Sequence, residues 1–153
     1  MRYILVLIIA LVSLASHNSD SKFTEQSNLI NLWHNAAASA NFDAYFNAVT
    51  DDFVFLGTAP GERWNKKEFM AFSKPYFDKG KAWNFTSRNK RFKVLKKNKI
   101  VAFDEDLDTW MEGCRGSGVL VKEKGKWKIS YYNLTVLIEN EKIDDFIQLR
   151  KEK

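Results

Sequence analysis

The sequence predicts an α+β domain in which three N-terminal helices pack on a mainly antiparallel sheet. Two patterns carry this prediction. Apolar residues recur at helical spacing in residues 24–49 and again in residues 69–77. Residues 83–138 instead contain only strand-length segments that are separated by two-residue turn signals. With 153 residues, 45% of them hydrophobic, the chain is long enough to bury one core without disulfides or metal ions.

The start of the chain has the pattern of a signal peptide. Arg2 precedes an apolar run at residues 3–12, and Ser13, Leu14 and Ala15 then form a small-x-small cleavage pattern. Because the run is shorter than the ~20 residues needed to cross a bilayer, an uncleaved anchor is the weaker alternative. We expect a periplasmic or secreted protein that has no stable membrane insertion after cleavage. The expected organisation is a signal peptide at residues 1–15, a flexible segment at 16–23 and a single domain at 24–150.

Each predicted helix has its own boundary signals. Thr24 can cap the first helix, and Asn41 separates it from a short second helix. The third helix begins at Asn65, which has capping-box spacing with Glu68, and Pro75 limits it. The apolar positions of the first two helices are Leu29, Leu32, Trp33, Ala36, Ala37, Ala40, Phe42, Tyr45, Phe46 and Val49.

The strand signals form two groups. Residues 53–56 and 62–64 flank a turn at Ala59-Pro60-Gly61 and predict a short hairpin. The second group predicts a four-stranded meander, with strands at residues 83–96, 99–111, 114–123 and 126–138. An amphipathic turn at residues 143–147 follows the meander and ends the predicted structure.

Strand alternation predicts which side chains share a face. Two-residue turns set Gly118 opposite Tyr131 and Leu120 opposite Glu105. One face of the meander then carries apolar and aromatic side chains around a single carboxylate, Glu105. A one-residue bulge would exchange the two faces. The other members of this face are Phe103, Leu107, Ile129 and Asn133.

Two glycines lie on the same predicted face. Gly116 and Gly118 occupy a central strand, where glycine lowers stability unless the sheet bends or a group must come close. Either reason is compatible with the sequence: the glycines form the floor of a pocket, or they permit the bend alone.

A basic run in the first long hairpin suggests phosphate binding at first sight. Pairing across the turn at residues 97–98, however, sets Arg91 opposite Asp104 and Lys90 opposite Glu105, which cancels much of the positive charge locally. We therefore expect no nucleic-acid partner, and the net charge of +5 requires no polyanion. The basic residues are Arg88, Lys90, Arg91, Lys93, Lys96, Lys97 and Lys99.

Few residues suit metal or nucleophilic chemistry. The chain has two histidines and one cysteine, too few for a histidine-built metal site, so we expect no metal and no cofactor. His34 lies at the edge of an apolar helix face, which favours a hydrogen-bonded, partly buried histidine over a general base. Cys114 adjoins a glycine-rich strand without a nearby histidine, which favours a small buried residue over a nucleophile.

Six segments together carry a family resemblance: residues 52–58, 62–64, 103–107, 114–120, 126–129 and 132–135. The chain resembles the SnoaL-like branch of the nuclear transport factor 2-like superfamily over about residues 26–138. The resemblance implies a cone, in which a strongly curved sheet wraps around the helices and leaves an apolar pocket at its wide end. It also implies frequent dimers and members that range from isomerases and cyclases to non-catalytic binders. In ketosteroid isomerase, a similar enzyme, a carboxylate removes a proton next to a carbonyl, which implies Glu105 as base and Tyr45 or Tyr131 as donor.

Three functional hypotheses follow. The first is an exported SnoaL-like domain that binds a small, largely apolar ligand in the cone. The second is a cofactor-independent isomerase, cyclase or dehydratase-type enzyme that uses Glu105 as general base. The third is a non-catalytic interaction module that forms a homodimer through the outer face of the sheet. The expected ligand-binding residues are Tyr45, Phe55, Trp64, Phe103, Glu105, Tyr131 and Asn133.

Overall fold

The computed structural model describes residues 21–151, and it confirms the α+β fold class with a mainly antiparallel sheet. The predicted signal peptide and residues 16–20 of the predicted flexible segment lie outside the described residues, and residues 21–23 form a short 3-10 helix. The helices are α1 (Thr24–Ala38), α2 (Phe42–Asn47), α3 (Lys66–Asp78) and α4 (Ile143–Lys151). The strands are β1 (Val49–Leu56), β2 (Arg63–Asn65), β3 (Thr86–Lys96), β4 (Ile100–Thr109), β5 (Glu112–Glu123) and β6 (Lys126–Val136).

The six strands form one sheet in the order β2-β1-β6-β5-β4-β3. All neighbours are antiparallel except β1 and β6, which are parallel because β1 precedes the meander and joins its last strand. Helix α1 contacts β3 and β6, α2 contacts β1, and α3 contacts β1 and β2. The core therefore lies between the helices and one face of the sheet.

Aromatic side chains make up much of this core. Trp33, Tyr45, Phe53, Phe69 and Tyr132 are all at most 2% exposed. Burying one large apolar side chain contributes roughly 1.5–3 kcal/mol, so this cluster is a major source of stability. No helix among residues 21–151 is long and apolar enough to cross a bilayer.

The helix boundaries predicted from the sequence are only partly correct. The capping box of α3 forms as predicted, with the Asn65 side chain accepting from the Glu68 amide and Glu68 accepting from the Asn65 amide. Thr24, by contrast, is the first helical residue of α1, and the N-cap position at Phe23 has no side-chain hydrogen bond. The second helix is shorter than predicted because Val49 already pairs with Ile129 in the sheet.

The predicted pairing of β4 with β5 is wrong by four residues. The strands turn at Trp110 and Met111, so Glu105 lies opposite Gly116 and not opposite Leu120. A shift by an even number of residues leaves each side chain on its predicted face. Glu105 therefore points into the core as expected, although its neighbours differ.

The predicted orientation of Tyr131 and Asn133 is wrong. Leu120 pairs with Ile129 as expected, but the register then shifts so that Val119 pairs with Tyr131. This bulge adds one residue to β6 and exchanges its two faces. As a result Tyr132 is buried and Tyr131 and Asn133 lie on the outer face.

A second irregularity corrects the predicted partner of Glu105 in β3. Arg91 pairs with Asp104 as predicted, and its guanidinium forms an ion pair with that carboxylate at 2.7 Å. The register then shifts around Asn89, which has a φ of +49°, so Lys90 is not paired with Glu105. The side chain that reaches Glu105 from β3 is Ser87.

The two inward glycines form no pocket floor. A Cβ atom at Gly116 would lie 2.1 Å from the Tyr132 hydroxyl oxygen and 2.9 Å from Glu105 Oε1. A Cβ atom at Gly118 would lie 2.4 Å from the backbone oxygen of Tyr131 and 2.7 Å from the Phe103 ring. Both positions therefore require glycine because neighbouring atoms occupy the space, those of side chains at Gly116 and those of backbone and side chain at Gly118.

Candidate functional site

A cavity of about 170 Å³ opens between the helices and the inner face of the sheet. Its walls come from α1, α2, α3, β1, β2, β6, the loop between β1 and β2, the loop after α3 and the turn between β4 and β5. Most of the lining residues are aromatic, and none is Lys or Arg. They are Trp33, His34, Tyr45, Phe55, Gly57, Thr58, Glu62, Trp64, Phe69, Phe72, Trp83, Phe85, Trp110, Met111, Tyr132 and Leu134.

The structure brings only some of the predicted ligand-binding residues to this cavity. Tyr45, Phe55 and Trp64 line it. Phe103 and Glu105 are buried in the core but are not among the lining residues. Tyr131 and Asn133 lie on the outer face because of the bulge in β6.

The Glu105 carboxylate accepts three hydrogen bonds from three different elements. His34 Nε2 in α1 lies 2.8 Å from Oε1, and the Tyr132 hydroxyl in β6 donates to the same oxygen at 2.9 Å. The Ser87 hydroxyl in β3 donates to Oε2. Glu105 is 0% exposed, so these bonds replace the water that the carboxylate loses on folding.

The hydrogen bonds keep Glu105 ionised despite its burial. Burial raises the pKa of the carboxyl group, but the bonds from His34, Ser87 and Tyr132 and the charge of His34 lower the pKa more strongly. The net pKa lies below the ordinary value of 4.5. The side chain is therefore a negative charge at neutral pH.

This charge fixes which ring nitrogen of His34 faces Glu105. Because an ionised carboxylate only accepts hydrogen bonds, the Nε2 atom of His34 carries a hydrogen. In the neutral imidazole, Nδ1 is then an acceptor with a free lone pair. Among the described residues, no side chain or backbone group bonds to Nδ1, and the ring lines the cavity. His34 can thus present a basic nitrogen to a ligand.

Sequence reasoning described the environment of His34 but missed its place in the cavity. The imidazole is 6% exposed and hydrogen-bonded, as its position on the edge of an apolar helix face predicted. Its partner is 71 positions away, and no local pattern signals such a pair. Trp33 and Tyr132 were also missed as lining residues, although the apolar spacing of α1 marked Trp33 as a core residue.

Two further polar atoms lie in residues of the cavity wall. Within residues 21–151, no group accepts a hydrogen bond from the indole Nε1 of Trp33 or from the hydroxyl of Tyr45. Their rings stack with centroids 4.7 Å apart. Burial raises the pKa of Tyr45 well above 10.0, and the neighbouring Trp83 opposes this shift only in part. Both groups are therefore protonated and can donate.

Cys114 and the acidic residues offer no alternative centre in this part of the chain. Cys114 is buried and lies 3.5 Å from the Thr109 hydroxyl. The described residues contain no group of three or more His, Cys, Asp or Glu side chains that could hold a metal ion. The acidic residues on the outer face of β4 pair instead with Arg88, Asn89 and Arg91.

Comparison with known families gives one match. The family model described as SnoaL-like domain matches residues 27–139, which is most of the chain. No curated protein matches the sequence.

Several solved structures share the fold at low sequence identity. An NTF2-like protein of unknown function from Pseudomonas putida KT2440 is 13% identical with a TM-score of 0.65, over 80% of this chain and 92% of that one. A protein from Novosphingobium aromaticivorans that is provisionally described as a scytalone dehydratase is 8% identical with a TM-score of 0.65. The match covers 77% of this chain and 85% of that one. Another from the same organism, provisionally described as an aromatic ring hydroxylase, is 13% identical with a TM-score of 0.65, over 77% and 90%. At these identities the likeness establishes the fold and no activity.

Proposed function

The chain belongs to the SnoaL-like domain family, and we propose that it binds a small, largely apolar ligand in its cavity with His34 as the polar contact. One observation carries this proposal. The imidazole of His34 lines a cavity with aromatic walls, while its Nε2 atom is held by a carboxylate that is fully buried. An apolar cavity with a few oriented polar groups is the usual form of a small-molecule site.

The role of Glu105 in this proposal is to position His34. The carboxylate is 0% exposed and does not line the cavity, so a ligand meets the imidazole first. All three of its bonds are internal to the protein. In this proposal Glu105 acts through His34, whereas the family resemblance implied Glu105 itself as the catalytic base.

A second candidate function is cofactor-independent proton transfer at carbon, as in an isomerase, cyclase or dehydratase. The observation that favours it is the pairing of His34 with a buried carboxylate, which stabilises the imidazolium ion that forms when Nδ1 takes a proton. The same proton can return to another atom of the substrate or to a departing hydroxyl group, so no oxidant or reductant is needed. The fold likeness to a protein provisionally described as a scytalone dehydratase is compatible with this chemistry.

The binding proposal is tested by obstructing the cavity. Thr58 is exposed and lines the cavity, whereas its neighbour Ala59 is exposed and does not. Native mass spectrometry of the protein purified from its own compartment should detect a retained small molecule. We expect Thr58→Trp to lose this molecule and Ala59→Trp to keep it. Equal retention by both variants, or no bound molecule in the parent protein, would contradict the proposal.

The two candidate functions predict different effects of a substitution at His34. His34→Gln keeps a hydrogen-bonding side chain but removes the titratable base. Under the binding function, we expect retention of the ligand to fall only several-fold. Under the proton-transfer function, turnover of the identified ligand should fall by about 10²–10⁴-fold while binding is largely kept. Turnover that survives in His34→Gln would exclude His34 as the base.

A further inference from the structure

Two residues of the cavity wall carry hydrogen-bond donors that the proposed function does not use. No group among the described residues accepts a hydrogen bond from Trp33 Nε1 or from the Tyr45 hydroxyl, and less than 1 Å² of each atom is exposed. Both residues line the cavity. The nearby Trp83 indole can only donate, so it accepts neither hydrogen. Buried donors are normally paired, so this wall of the cavity is suited to an acceptor atom.

The size of the cavity limits what it can enclose. Its volume is about 170 Å³. An apolar cavity of ~150 Å³ in another protein encloses one benzene molecule. The cavity can therefore enclose one six-membered ring with few substituents, and a fused multi-ring compound cannot be fully enclosed.

The charges around the cavity favour an uncharged ligand. The chain has 24 Lys and Arg residues, yet none of them lines the cavity. The acidic groups nearby are Glu105, directly behind His34, and Glu62, whose carboxylate accepts a bond from the Ala59 amide. An anionic ligand would thus meet negative charge and no Lys or Arg side chain. An organic cation would find aromatic faces but would leave both donors unpaired.

We propose that the ligand is an uncharged, planar, single-ring compound with a carbonyl-type oxygen that accepts from Trp33 or Tyr45. The inference rests on the proposed function, because it names the class of ligand for the same cavity. The two donor atoms are almost fully covered, so the stacked indole and phenol rings must shift as the ligand enters. This shift gives two buried hydrogens the partner that the protein itself does not provide.

Matched small probes test the proposal. Acetophenone has the stated ring and oxygen, and ethylbenzene has the same carbon skeleton without the oxygen. Benzoate and phenyltrimethylammonium supply the anionic and cationic alternatives. We expect titration calorimetry of the purified protein to show acetophenone binding up to about tenfold more tightly than ethylbenzene. Benzoate and phenyltrimethylammonium should bind more weakly than acetophenone.

Two conservative variants identify the donors. Trp33→Phe and Tyr45→Phe keep an aromatic ring and remove one polar hydrogen each. We expect at least one of them to reduce the ratio of acetophenone affinity to ethylbenzene affinity several-fold. Trp64→Phe is the matched control, since Trp64 lines the cavity without an unpaired buried nitrogen. Thermal unfolding of each variant checks that the fold is kept.

The outcomes separate this inference from the proposed function. If ethylbenzene binds as tightly as acetophenone, or if both donor variants keep the preference, the inference is wrong and the apolar binding site stands. Tighter binding of phenyltrimethylammonium or benzoate would overturn the inference in favour of a charged ligand. If no neutral probe binds although native mass spectrometry detects a retained molecule, the inference fails and the proposed function stands.

Discussion

Glu105 is the residue on which the geometry of the site depends. A carboxylate without exposed surface requires several donors, and here His34, Ser87 and Tyr132 supply them. Because these donors come from α1, β3 and β6, the carboxylate links three elements as well as orienting the imidazole. Its inward direction was predictable from strand alternation, whereas its partners were not.

We expect Glu105→Gln to destabilise the protein at neutral pH by about 2 kcal/mol, since the bonds to a charged acceptor become bonds to a neutral amide. The folded-state pKa of Glu105 is lowered, so its contribution to stability is present above the unfolded value and is lost as pH falls through the folded pKa. The parent protein should therefore lose stability in the acid range more steeply than the variant. Urea unfolding measured from pH 7 to pH 3 tests this. If the free energy of unfolding fell equally with pH in the two proteins, Glu105 would not be the group whose pKa is lowered.

Gly116 is required by a close approach and not by a bend alone. In Gly116→Ala the new Cβ atom would lie 2.1 Å from the Tyr132 hydroxyl, so the phenol must leave Glu105. We expect a loss of about 1–3 kcal/mol in the free energy of unfolding. Gly113→Ala is the matched control in the same strand, because a Cβ atom there meets nothing within 4 Å. An equal effect of the two substitutions would show that steric contact with Tyr132 is not the cause.

At the scale of elements, the turns and irregularities of the sheet decide what each strand presents to the core. The bulge between β5 and β6 replaces Tyr131 and Asn133 by Tyr132 and Leu134 on the inner face. The irregularity around Asn89 brings Ser87, and not Lys90, to Glu105. Both features depend on one extra residue in a strand, which a regular two-residue period does not reveal.

The turn between β5 and β6 gives a test at this scale. Lys124 and Gly125 both have positive φ, at +47° and +82°, a pattern that favours Asn-Gly in two-residue hairpin turns. Lys124→Asn should therefore stabilise the exposed turn by about 0.5 kcal/mol. Lys97→Asn is the control, since Lys97 is exposed in the turn between β3 and β4 and has no positive φ. Thermal unfolding should show a higher midpoint for Lys124→Asn and no increase for Lys97→Asn. A lower midpoint for Lys124→Asn would contradict the left-handed backbone conformation at residue 124.

At the scale of the whole molecule, the parallel pairing of β1 with β6 makes the cavity possible. It places Phe55 beside Tyr132 in the middle of the sheet, with α1 and α3 above them. The cavity then draws residues from both halves of the chain. The homodimer through the outer face and the export of the protein stay predictions, as does the absence of a nucleic-acid partner.

The sequence by itself determined the order of helices and strands, the inward direction of Glu105 and the aromatic core positions of the helices, because these follow from local spacing and from the parity of strands. Only the tertiary structure decided that His34 meets Glu105, that Tyr132 replaces Tyr131, and that Trp33 and Tyr45 keep unpaired donors beside a cavity. The physical reason is that a contact between residues 71 positions apart, or a one-residue bulge, changes no local pattern of hydrophobicity.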